Sequence, residues 1–225
     1  MEKPILGIEN KEQAGAFLNK YYEKIRNELE NIINNKDLLE RVSEASYRHP
    51  NNFFKIILKN FNNATLRLHV WEKENLPKND KFSLSDVHDH RWSFVSIPLF
   101  GEFRELRFKE IQTDLEGVHN VYKYDFSSKS KEIKGGSESK LIQIGEYIRE
   151  KGNLYSCDMG EIHYYEASTY PASTIVLTYN TQKKGSFVYK KPSDSIDIEG
   201  NDTIENIPLT PEETKKIFKE VLKHL

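Results

Sequence analysis

Apolar residues return every third or fourth position near the start of the chain and every second position later. That change of period predicts helices first and strands afterwards. Ala14, Phe17, Leu18, Tyr21, Tyr22, Ile25 and Leu29 make one stripe along residues 11–31, the spacing of an amphipathic helix. Asn34-Asn35 interrupts the stripe, and a second helix over 36–47 buries Leu38, Leu39 and Val42. His49-Pro50 stops it, because the residue before a proline avoids helical backbone. Both helices are expected to pack on a sheet.

After Pro50 the strands begin. Residues 53–59 read as one strand, and 60–63 as a turn. Residues 65–72 (TLRLHVWE) alternate strictly: Leu66, Leu68 and Val70 fall on one face, Arg67, His69 and Trp71 on the other. Further strands are predicted over 93–99, 103–111, 121–126, 141–150, 154–158, 163–166, 174–179 and 186–189. Gly101, Gly117, Gly135-Gly136, Gly152 and Gly160 punctuate them. Many short strands with glycine turns and no intervening helices indicate a sandwich or barrel. Residues 74–81 read as a polar loop and 193–207 as an acidic surface loop. Thr210-Pro211-Glu212-Glu213 opens a last helix, with threonine as N-cap and Glu213 at the capping-box position. That helix buries Ile217, Val221 and Leu222.

The chain has 225 residues, 37% hydrophobic and 30% charged, enough apolar content for a core. Its 33 basic and 35 acidic residues nearly cancel, and no basic block stands out, so no nucleic-acid partner is expected. The opening residues, MEKPILGIENKEQ, carry no apolar run, and no stretch is long enough to span a bilayer. The one cysteine, Cys157, cannot form an internal disulfide. A cytoplasmic protein without membrane contact is expected, and a homodimer is compatible with the sequence.

The segment Asp86-Val87-His88-Asp89-His90-Arg91-Trp92-Ser93-Phe94 carries the chemistry. If it is extended, His88 and His90 project from one face and can converge on one ion, with Trp92 and Phe94 continuing that face. Asp89 and Arg91 then point the other way. A third donor is best supplied by Gly160-Glu161-Ile162-His163, where the glycine permits a turn and His163 starts the next strand. Arg67 faces the barrel interior if its apolar neighbours face the helices. An interior arginine needs a partner, and a carboxylate suits it. His69 shares that face, either as a base or as a core histidine. Tyr165 has the parity of His163, and Tyr155 and Tyr179 lie on nearby strands; one of these can donate a proton at the site. Glu161 is either a base beside the donors or a solvated turn carboxylate.

His88-Asp89-His90 through Gly101, followed by Gly160-x-x-His163, resembles the two motifs of the cupin superfamily. The resemblance spans roughly residues 53–189. Phe94 stands near the place of the family's usual glutamate, as in the three-histidine cupins, which include the thiol dioxygenases. The resemblance implies a mainly β fold: a double-stranded β-helix, or jelly-roll barrel, over 51–192. An N-terminal helical extension over 1–50 and an acidic loop with C-terminal helix over 193–225 complete the chain. It also implies a metal held by His88, His90 and His163, with Fe(II) favoured and Zn, Ni, Mn and Cu also suited to imidazoles. The implied activity is an iron-dependent dioxygenase using dioxygen on a small carboxylate-bearing molecule. Arg67 resembles the early-strand arginine that holds the substrate carboxylate. The departures concern thiol chemistry: Cys157 is not beside the His-x-His, and the relay after the third histidine has no match. A non-oxidative isomerase, lyase or hydrolase and a non-catalytic ligand-binding cupin are the other readings.

Overall fold

The structure, a computed structural model, describes residues 7–49, 53–72, 87–111, 119–125, 132–181, 185–190 and 206–225. The expected loop at 74–81 and most of the acidic loop at 193–207 lie outside the described residues. Among the described residues there are four helices: α1 (Lys11–Tyr22), α2 (Ile25–Asn34), α3 (Lys36–Glu44) and α4 (Pro211–His224). The strands are β1 (Tyr47–His49), β2 (Phe53–Asn60), β3 (Ala64–Trp71), β4 (Val87–His88), β5 (Ser93–Phe100), β6 (Phe103–Ile111) and β7 (His119–Asp125). They continue as β8 (Glu132–Arg149), β9 (Tyr155–Cys157), β10 (Ile162–Ala167), β11 (Ala172–Tyr179), β12 (Gly185–Lys190) and β13 (Ile207–Pro208).

The strands form two antiparallel sheets, β13-β1-β2-β3-β11-β5-β9 and β10-β4-β12-β7-β8-β6, the second closing back on β10. Their pairing follows one rule. β3 pairs with β11, β4 with β10, β5 with β9 and β6 with β8. A long two-stranded ribbon therefore winds so that successive pairs alternate between the sheets. This is the double-stranded β-helix expected from the sequence, mainly β with N-terminal helices and a C-terminal helix.

Alternation decides which side chains meet which partner. On the first sheet Leu66, Leu68, Val95, Ile97, Leu99, Ile175 and Leu177 form one core with Leu18, Leu29 and Phe218 of the helices. Burying each such side chain contributes about 1.5–3 kcal/mol. The opposite face of the same strands carries Arg67, His69, Trp71, Phe94 and Val176 into the barrel.

Some elements differ from the periodic reading. The stripe over 11–31 is two helices, because α1 packs on β5 and β11 while α2 turns to pack on α3 and α4. The second helix ends at Glu44, and Tyr47–His49 instead form a short strand on β2. Gly135-Gly136 is not a turn but part of the long strand β8. Tyr122 pairs with Gly135 and Val121 with Ser137, leaving the intervening glycine as a bulge. The C-terminal helix starts as expected, with a complete capping box between Thr210 and Glu213.

Gly101 turns the chain from β5 to β6 with φ of +80°, and a Cβ there would lie 2.5 Å from the Ala172 Cβ. Left-handed backbone and overpacking each cost roughly 1–3 kcal/mol for a residue with a side chain. Gly101→Ala is expected to lower unfolding stability by about 2–4 kcal/mol. Denaturant titration checks it, and an unchanged midpoint would show that the turn relaxes freely. Among the described residues no helix is long and apolar enough to cross a membrane.

Candidate metal centre

The fold brings three distant histidines together. β10 lies beside β4 in antiparallel register, with His163 directly opposite His88, so both side chains leave the same face of the sheet. His90 joins them although residues 89–92 are not strand. There the chain leaves the second sheet for the first, and Asp89 substitutes for the interrupted ladder. Its backbone N–H donates to Phe187 O at 3.0 Å, and its carboxylate accepts from Phe187 N at 2.6 Å. The aspartate thus points away from its two neighbours. The loop is also tied to the turn before β10, because Gly160 N donates to His90 O at 3.1 Å. Gly160 has φ of +84°, which glycine adopts without strain.

The three imidazole rings are mutually adjacent, with centroids 4.7 Å apart for His88–His90, 4.9 Å for His88–His163 and 5.0 Å for His90–His163. Each offers a ligand nitrogen, and the three nitrogens lie within 4.8 Å of one another. His90 Nε2 and His163 Nε2 are 2.9 Å apart. Two nitrogens at right angles on one ion, each bound at about 2.0–2.1 Å, would be separated by about the same distance. Burial, followed by the neighbouring His88 and His163 and the charges of Lys55 and Arg67, pulls His90 well below the ordinary histidine value. Its ring therefore stays neutral and keeps a lone pair. The donor set fits a borderline divalent metal.

Glu105, on β6, stands behind His163. Its Oε1 lies 3.3 Å from His163 Nδ1. An ionised carboxylate only accepts, so Nδ1 carries the proton and Nε2 faces the cluster with its lone pair. Glu105 is fully buried. It also accepts from Arg107 Nε at 3.1 Å and Arg149 Nε at 2.7 Å. Burial pushes its carboxyl up, but His163, Arg107 and Arg149 together hold it below the ordinary value. Arg107 in turn bonds Glu161, which accepts from Asp158 N at 2.6 Å and so braces the turn before His163.

Aromatic rings close the centre. Trp92 stacks on His90 at 5.6 Å, and Phe94 meets His90 edge-on at 5.2 Å. Beyond them a group of cations surrounds Trp92: Arg67 at 4.7 Å, Arg91 at 5.2 Å and Lys55 at 5.5 Å from its ring centre. Arg91 reaches this side because strand alternation lapses at 89–92. Arg67 Nε is buried without a hydrogen-bond partner among the described residues. Burial lowers its guanidinium to about 10, with Tyr47 opposing the shift and Arg91 adding to it. Arg67, His69, His88, His90, Trp92 and Tyr165 are enclosed by the barrel yet each keeps part of its surface open. They are half-buried in the barrel interior.

The two tyrosines part company. Tyr165 lies 6.3 Å from His163 between ring centres, and burial holds its hydroxyl protonated far above the ordinary range. Tyr179 shares the parity of Ile175 and Leu177, so it belongs to the core under the helices and lies on the far face of the sheet from the histidines. Cys157 is a buried thiol against Phe94, Tyr155 and Val176. Glu105 and Lys55 escape the sequence reading. The signal for Glu105 is a charged residue in register with the inward Phe103.

No family model and no curated protein matches the chain. Among solved structures it is similar to hydroquinone 1,2-dioxygenase from Sphingomonas sp. TTNP3 with 4-hydroxybenzoate bound (9% identity, TM-score 0.34, 57% of this chain and 66% of that one). Oxalate oxidase in complex with glycolate overlaps at 13% identity and TM-score 0.32, over 61% of this chain and 55% of that one. A cupin-2 domain protein from Shewanella frigidimarina overlaps at 12% identity and TM-score 0.27, over 56% of this chain and 79% of that one. These likenesses are remote, and the functional reading rests on the residues of the chain itself.

Proposed function

We propose that the protein is a metal-dependent oxygenase. In this reading His88, His90 and His163 hold one divalent ion, Fe(II), and the substrates are dioxygen and a small carboxylate-bearing molecule. The observation that carries the reading is the convergence of the three imidazoles in the barrel interior. Glu105 stands behind His163, and beyond Trp92 lies Arg67, whose Nε has no partner among the described residues. Iron held by such a face would offer open positions for a substrate and for dioxygen. The chain's own groups do the rest. Arg67 binds and orients the carboxylate, whose charge offsets the positive charge that three neutral ligands leave uncancelled. Trp92 and Phe94 limit water at His90. Glu105 fixes the His163 tautomer. Tyr165, protonated at neutral pH, is placed to donate a proton near His163.

Elemental analysis of purified protein loaded with Fe(II) without oxygen is expected to give one ion per chain. Oxygen uptake is then expected with at least one member of a panel of small carboxylic acids. A protein that takes up no metal overturns the reading. Metal uptake without oxygen consumption across the panel returns it to a non-oxidative or purely binding role.

A further inference from the structure

Buried polar atoms without a hydrogen-bond partner among the described residues include Arg67 Nε, His69 Nε2, Ser96 Oγ and the Tyr165 hydroxyl, and the first two belong to one strand. Arg67 Nε and His69 Nε2 are both buried, and neither makes a hydrogen bond to a described residue. Buried polar atoms are nearly always paired in folded proteins, so two orphans on neighbouring inward positions of one strand point to something that pairs them. They belong to residues two apart on the inner face of β3. Their side chains therefore leave the sheet side by side, separated along the strand by about 6.5 Å.

The walls around them are rings. His69 lies 4.7 Å from Phe53 and 5.9 Å from Trp71 between ring centres. Arg67 lies over Trp92, which stacks on His90. Across the barrel interior Tyr165 packs on Trp71 at 6.3 Å and on Phe103 at 5.1 Å, and its hydroxyl makes no well-formed hydrogen bond, Tyr155 being its polar neighbour. The barrel interior thus offers a cation at one point and an imidazole at another, each beside aromatic rings. Burial first, and then the charges of Lys55 and Arg67, keep the His69 ring neutral. A neutral imidazole has one donor and one acceptor nitrogen, the complement of a hydroxyl. A bare carboxylate on a short chain would satisfy Arg67 and leave His69 orphaned.

We propose that the barrel interior takes a ring-bearing organic monoanion with a hydroxyl at the end opposite its acid group, the acid on Arg67 and the hydroxyl on His69. This rests on the reading of the barrel as a site for small carboxylates, and it makes that substrate class specific.

Three probes separate the contacts: 4-hydroxybenzoate, benzoate and phenol, titrated by calorimetry into metal-free and metal-loaded protein. The wild type is expected to bind 4-hydroxybenzoate about tenfold more tightly than benzoate, for the lost neutral hydrogen bond, and about tenfold to a hundredfold more tightly than phenol, for the lost charged one. His69→Phe should remove the advantage over benzoate and keep the advantage over phenol. Arg67→Gln should do the reverse. No binding, equal binding of the three probes by the wild type, or advantages that survive both substitutions would overturn the proposal. Should either variant fail to fold by circular dichroism, the wild-type ranking decides. Intact ranking in a protein that takes up no metal removes the oxygenase reading only; metal uptake with no ranking removes this one only.

Discussion

His163→Ala protein is expected to lose its metal. The substitution deletes one of three donors and also the one whose orientation is enforced from behind by Glu105. Removing a partner of a ligand, without touching the ligand, typically weakens metal affinity by about 10–100-fold. Deleting the ligand itself should exceed that range, so that metal content after dialysis falls from one ion per chain to background. His88→Ala should behave alike, because His88 stands opposite His163 in the strand register. The fold should persist in both, since the apolar core under the helices contains neither residue. Mass-spectrometric metal analysis of the dialysed proteins is the measurement. Wild-type metal content in both variants would remove the three-histidine centre as the binding site.

The second large effect is expected at Glu105. Its carboxylate is fully buried and bridges His163, Arg107 and Arg149, and the two arginine side chains are each 19% exposed. Glu105→Ala leaves two largely enclosed cations without their shared anion, a change that typically costs about 3–5 kcal/mol. It also frees the His163 ring, so metal affinity should fall by about 10–100-fold. The pH dependence has a definite sign. The folded carboxyl lies below its ordinary value, so it binds protons less readily in the folded than in the unfolded chain. Its stabilisation is present above the unfolded carboxyl value of about 4.3 and is lost as pH falls through the lower folded value. Glu105→Gln, which keeps the shape and removes the charge, should therefore narrow the stability gap to wild type as pH falls below about 4. Denaturant unfolding between neutral and acid pH tests this. Equal stability of wild type and both variants at neutral pH would show that the bridge is energetically idle.

Much of this centre is legible in short stretches of chain. Strict alternation over 65–72 puts Arg67 and His69 on one face and Leu66 and Leu68 on the other, and the barrel and helices take them up accordingly. His88, His90 and His163 come together, but not by one continuous strand through 86–94. The chain breaks at 89–92, and Asp89 and Gly160 hold the resulting loop. Nearness of strands groups Tyr179 with Tyr165, and parity separates them. Glu105 is hidden in the sequence because a carboxylate in an alternating strand looks like any solvated side chain until the opposing Arg149 and His163 are in place.

Local stretches of chain fix the period of each segment and hence which residues share a face, because a side chain's direction follows from backbone geometry one or two residues away. Which faces meet follows instead from the pairing of strands far apart in the chain. His90 and His163 are 73 positions apart and touch through the pairing of β10 with β4. Glu105 is buried because β6 lies between β10 and β8. Such contacts depend on how a whole ribbon winds, and no local period encodes that.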